Sequence, residues 1–252
     1  AADGTVGSMA GSGVAGFQDG YGSSAQFKGP GGLAMDSAGT TVFADSGNHR
    51  IRTIDKTGKV STLAGSGTAG FVDGAASSAG FYSPYDVAVA AGGAVYVADL
   101  NNKRIRRILG GIVSTVAGTG VSAVVDGPAK SAAFGNPFSL AMLPNGDLVI
   151  GDLSPGRRLR LLSGGVVSTL AGSGDSGSVD GFGAAATFVE PTGLEIKPAN
   201  HIYVADGGNH RIRKVHAGVV STVAGTGTIG PVSSDAAACG DRGRDLGRLM
   251  GG

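Results

Sequence analysis

Four prolines set the frame of this chain: Pro30, Pro84, Pro137 and Pro191 stand 54, 53 and 54 residues apart. Phe27, Phe81, Phe134 and Phe188 keep the same phase, and so do Asp45, Asp99, Asp152 and Asp206. Val60, Val113, Val167 and Val220 each open a V-S-T-(Leu/Val)-A-G-(Ser/Thr)-G run, with a weaker copy, VGSMAGSG, at Val6. A chain that repeats itself at such an interval builds one supersecondary unit per period and buries its core by stacking the copies.

Each period holds four strand candidates. The first follows the proline (GLAMD, DVAVA, SLAML, GLEIK), and the second ends in the aspartate (TVFAD, VYVAD, LVIGD, IYVAD). The third alternates charged and apolar residues (RIRTI, RIRRI, RLRLL, RIRKV), and the fourth is the V-S-T run. Alternation at period two is the pattern of a half-buried strand. β-Branched and aromatic residues dominate the second strand, as a pleated buried surface favours. The connections are short and rich in Gly and Asn, which favours antiparallel neighbours. The 48 glycines follow no G-x-y period, and 41% of residues are hydrophobic, so the glycines read as turns between short strands over a real core. A four-stranded antiparallel meander repeated at this interval predicts an all-β fold, a β-propeller. The rungs of a β-helix repeat at shorter intervals.

The motifs P-x-G-L-A-x-D, Y-V-A-D-x-x-N-H-R-I-R and VSTLAGSGxxGFxDG resemble the NHL-repeat family of β-propellers, over roughly residues 5–227. The first and fourth units match best, with Asn48-His49-Arg50 and Asn209-His210-Arg211. The second has Asn102-Lys103-Arg104, and the third departs from the pattern with Leu153-Ser154-Pro155-Gly156-Arg157-Arg158. The resemblance implies repeats over about residues 14–67, 68–120, 121–174 and 175–227. Residues 1–13 then form a surplus N-terminal outer strand, and residues 228–252 an irregular tail. A spare outer strand is a template for pairing with another chain, so self-association through that edge is expected. The family includes RNA-binding members and a metal-using lyase, and its long V-S-T variant occurs in large secreted or surface proteins and in proteins with a thioredoxin-like partner. No thioredoxin motif is present here. An extracellular or cell-surface setting is therefore expected, with a cytoplasmic one left open. The absence of an initiating Met suggests a processed product or a fragment.

Strand alternation puts the second-to-third turn and the long connector between repeats on one face. That decorated face is the expected site of binding, because loops on a rigid scaffold carry most binding residues. Its candidates are Asn48, His49, Arg50, Lys103, Arg104, Arg157, His210 and Arg211. The arginines offer a basic ring for phosphate or RNA. Their recurrence in each unit points instead to each Arg bonding its own turn aspartate or turn carbonyls, as Asp206 and Arg211 would. Asp19, Asp73, Asp126 and Asp180, each before a Gly, suggest Asx-type turns more than calcium ligands. His49, His210, His201 and His216 show no convergence on a metal, and no metal or cofactor is expected.

Ser61, Ser114, Ser168 and Ser221 recur on strands, Cys239 is the lone cysteine, and neither gives a nucleophile with a base. Two irregularities of the inner strand, Asp86 for Gly32 and Glu195 for Ala34, Ala88 and Ala141, place carboxylates at the channel. Net charge of +1 argues for neither nucleic acid nor a membrane surface, and no apolar run is long enough to span a bilayer. The sequence thus points to a non-enzymatic interaction or assembly scaffold. The alternatives are a channel-centred hydrolase- or lyase-like enzyme and an RNA-binding face.

Overall fold

The computed structural model describes residue 4 and residues 6–229. These form four five-stranded antiparallel sheets arranged as propeller blades, one per sequence repeat. In the second blade the strands are Pro84–Val89 (first, innermost), Val95–Asp99 (second), Arg104–Leu109 (third) and Ile112–Ala117 (fourth). A two-residue rim strand, Gly74–Ala75, pairs antiparallel with the fourth. The other blades repeat this order, rim strand against fourth, then third, second and first. The four-stranded meander was legible in sequence. The rim strand was not, because two residues of the G-A or G-F type carry no periodicity.

The second strand passes to the third through a single 3-10 turn, Ser46–Asn48 in the first blade and Gly207–Asn209 in the fourth. The residue after it is left-handed: His49, Lys103, Arg157 and His210 all have φ between 47° and 54°. Asn or Gly fits that conformation more easily, so four non-Gly residues there point to a retained role for their side chains.

The core lies between blades. One apolar cluster joins Val42, Ala44, Ile51 and Ala64 of the first blade to Phe81, Val87, Val97 and Ile108 of the second. Equivalent clusters join the second blade to the third and the third to the fourth. Each seam therefore joins the trailing face of one blade to the leading face of the next. Among the described residues no such cluster joins the fourth blade to the first.

The expected surplus strand at Val6 is not formed. Residues 6–13 carry no strand, and Val6 is 96% exposed. The V-G-S-M segment has no third strand of its own blade to bond to. The A-G-S-G half keeps its usual work: Gly11 and Ser12 donate backbone hydrogen bonds to Gly22 and Ala25, as Gly65 and Ser66 do to Ala76 and Ala79. The tail from residue 230 lies outside the described residues.

Candidate functional site

The repeated charges build a clasp inside each blade. In the first, the fully buried Arg52 donates to Asp45 Oδ2 at 2.6 Å, to Asp19 Oδ1 at 2.6 Å, and to the carbonyls of Gln18 and Gln26. Arg106 repeats this with Asp99 and Asp73, Arg160 with Asp152 and Asp126, and Arg213 with Asp206 and Asp180. The second aspartate also ties in the fourth strand, since Asp73 accepts from the Thr115 N–H at 3.0 Å. Burial pushes the Asp73 carboxyl up. The hydrogen bonds from Thr115 and Arg106, with the Arg106 charge, outweigh it and hold the carboxyl below its ordinary range. Asp126 and Asp180 are held low in the same way.

This corrects two expectations. The partner of the turn aspartate is the second Arg of the R-I-R run, Arg52 or Arg213, and not Arg50 or Arg211. Arg50 and Arg52 stand two apart and share one face of the strand, both over the Phe17 ring. The aspartate opposes Arg50 in register, yet only Arg52 reaches inward to both carboxylates. The Asp-Gly aspartates, in turn, are ion-pair and strand ligands rather than Asx turns. A constant separation of 33 or 34 residues between Asp19-type and Arg52-type positions was the signal that could have found the pair.

The decorated-face candidates are drawn into the scaffold in the same fashion. Arg50 lies 3.7 Å over the Phe17 ring and donates to the carbonyls of Asn48 and Ser66. Arg104 does the same over Phe71, with Asn102 and Thr119. Arg211 donates to Thr226 O. Asn48 Nδ2 bridges Asp45 and Gly16 O. The left-handed turn residue reaches across to the next blade: His49 Nδ1 accepts from the Ser83 N–H at 3.1 Å, and Lys103 donates to Asn136 Oδ1. Arg157 holds the same turn position in the third blade and His210 in the fourth. These residues recur around the ring of blades and do not converge on one point.

The inner strands of all four blades do converge, around a central cavity of about 480 Å³ lined by Gly32, Ala34, Asp86, Leu140, Gly193 and Glu195 among others. Burial raises the Asp86 carboxyl to a pKa of about 6, against the opposing pull of hydrogen bonds from the Leu140 and Val87 N–H groups, each 2.8 Å. Both its oxygens are thereby engaged, one of them on the next blade. A Cβ at Gly32 would sit 1.8 Å from Asp86 Oδ1, so the glycine of the first blade makes room for the aspartate of the second. Glu195 lines the same cavity, but its side chain is 64% exposed and lies 3.4 Å from Lys197 Nζ. Among the described residues, no three His, Cys, Asp or Glu side chains gather in a way that could hold a metal ion. His201 and His216 do meet, edge to face at 4.1 Å between ring centroids.

The NHL-repeat family model matches residues 81–108 and 188–215, covering the Phe-to-third-strand segments of the second and fourth blades. The chain is an NHL-repeat β-propeller. It is 32% identical to Protein SUPPRESSOR OF QUENCHING 1, chloroplastic, of Arabidopsis thaliana, over 87% of this chain and 23% of that protein. It is also 32% identical to NHL repeat-containing protein 2 of Gallus gallus, over 74% of this chain and 29% of that one. The NHL chain thus spans less than a third of the curated relatives it matches. Among solved structures it is similar to an auxiliary nutrient binding protein from Bacteroides thetaiotaomicron (TM-score 0.61, 21% identity, 79% of this chain and 49% of that one). It is also similar to a streptogramin B lyase (TM-score 0.52, 15% identity, 83% and 57%). At these identities the likeness is one of fold.

Proposed function

We propose that this NHL propeller is a non-enzymatic scaffold that binds protein partners, and that it does so through a broad blade face rather than an outer edge. The observation that carries this reading is the leading face of the first blade. Leu33 and Met35 on its inner strand are 67% and 63% exposed, while the equivalent Val87 and Leu140 are 2% and 5% exposed under the preceding blade. An apolar surface left open beside a rigid frame is the usual mark of an interaction site. The outer edges support pairing poorly, because each ends in a rim strand of two residues and short edges resist strand addition.

A photo-cross-linking residue at position 33, introduced in the native host, tests the reading. A discrete protein adduct is expected there and not at position 182, where Phe182 is equally exposed on the rim. No discrete adduct at position 33 goes against it. The channel enzyme is the second reading, and the raised carboxyl of Asp86 is the observation in its favour. Against it, both Asp86 oxygens are occupied by backbone donors.

A further inference from the structure

The leading face of the first blade and the trailing face of the fourth are not alike, and the difference centres on Glu195. Trailing faces of internal blades present alanine at the middle of the inner strand: Ala88 and Ala141 are 5% and 8% exposed beneath the blade that follows, and Ala34 packs against the first of the three clusters. The fourth blade presents Glu195 at that position. Two residues on, Lys197 stands where Asp36, Ala90 and Leu143 stand, and the third strand keeps its apolar residue, Ile212. Ile212 is 38% exposed where Ile51, Ile105 and Leu159 are fully buried, so no further blade covers it among the described residues. A blade stacked on this face would bury the Glu195 carboxylate, whose one ion-pair partner among the described residues is Lys197, on the same strand. Burying a charge without compensating hydrogen bonds is strongly unfavourable.

The leading face of the first blade carries no such charge at the matching place. Leu33 and Met35 hold the positions of Val87 and Val89, of Leu140 and Met142, and of Leu194 and Ile196. In three successive seams of the molecule these positions pack on an internal-type trailing face.

We propose that the leading face of the first blade is a docking surface for the trailing face of another NHL-type blade bearing alanine at the Glu195 position, and that Glu195 prevents a second copy of this chain from serving as that blade. The proposal rests on the scaffold reading and makes it specific. The seam that would form continues the three seams already present, with the same residue types on both sides. Glu195 then works as a polar end cap, the device by which stacked repeats avoid open-ended growth.

A mixing experiment tests this with full-length chains. The acceptor is the wild-type chain. The donor is the triple variant L33D/M35D/E195A, whose trailing face is of the internal type and whose leading face is blocked. By sedimentation equilibrium, wild type alone and donor alone are expected to be monomers, and their mixture a 1:1 heterodimer. The single variant E195A is expected to show an average mass that rises several-fold with concentration. Replacing the acceptor by L33D/M35D should abolish the complex.

Far-UV circular dichroism confirms that each variant is folded, and all three substitutions are at solvent-exposed positions. Folded donor and wild type that fail to associate would overturn the proposal. So would wild type that self-associates as strongly as E195A, since a second copy would then fill the face despite Glu195. A position-33 adduct in the host together with a failed donor would leave the scaffold reading standing and reject the blade as its partner.

Discussion

Asp86 shows how a single side chain can look catalytic and be structural. It sits in the central cavity with its pKa raised to about 6, largely by burial. Both oxygens accept backbone hydrogen bonds, and Gly32 is shaped to admit it. The raised value has a consequence for stability. The folded state holds the proton more tightly than the unfolded chain, whose aspartate titrates near 4. Between about pH 4 and about pH 6 the native state binds more protons, so this residue makes folding stability fall as pH rises through that window. The expected result is that urea midpoints of wild type decline across the window relative to those of Asp86→Asn, with parallel curves above it. A difference curve that is flat from pH 4 to 6 would remove Asp86 from this role. The sequence showed the irregularity at Asp86. The two amides that occupy it depend on how the second and third blades abut, which sequence does not carry.

At the scale of the blade, the element that matters is the clasp of one buried Arg between two aspartates. Removing one partner of a buried pair leaves the other charges uncompensated, at a typical cost of about 3–5 kcal/mol. Arg106→Ala in the second blade should destabilise the protein by about that much in urea unfolding. Arg213→Ala in the fourth should cost less. Its bonds to Asp180 and Asp206 are longer, at 2.9 and 3.0 Å, and its buried Nε has no hydrogen-bond partner among the described residues. Equal losses at the two sites would show that the clasps are equivalent. The strands and turns of each blade were legible because alternation and Gly-Asn turns are local signals. The choice of Arg52 over Arg50 was not. Both lie on the same strand in the same R-I-R run, and only the inward turn of one residue toward Asp19 and Asp45 separates them. The rim strand and the absence of a strand at Val6 belong to the same class, since each is decided by the presence or absence of a partner strand, the fourth for the rim and the third for a V-S-T-type segment.

For the molecule as a whole, the three seams make a graded structure. The second and third blades are covered on both faces, whereas the first and fourth each present one face that no described residues cover as a blade would. Local opening is easiest where buried apolar contacts are fewest. Amide hydrogen exchange read by mass spectrometry should therefore be slowest in Val95–Asp99 and Leu148–Leu153, the second strands of the middle blades, and faster in Thr41–Asp45 and His201–Asp206. Uniform protection across the four would mean that the end blades are covered in solution. The repeat count predicted four blades, and four are found. Whether the first and last meet was illegible, because the angle between blades accumulates from side-chain packing at each seam.

The clasp also bears on how such a chain can change length over generations. Every member of the first one, from Asp19 and Gln26 through Asp45 and Arg52 to Thr62, falls inside a single repeat. So do the stack of Arg50 on Phe17 and the bond from Asn48 to Gly16. A recombination event that adds or drops one whole period therefore transfers a complete charge-balanced unit and strands no arginine. A gene built of such periods can be lengthened or shortened by whole-repeat duplication without breaking a clasp.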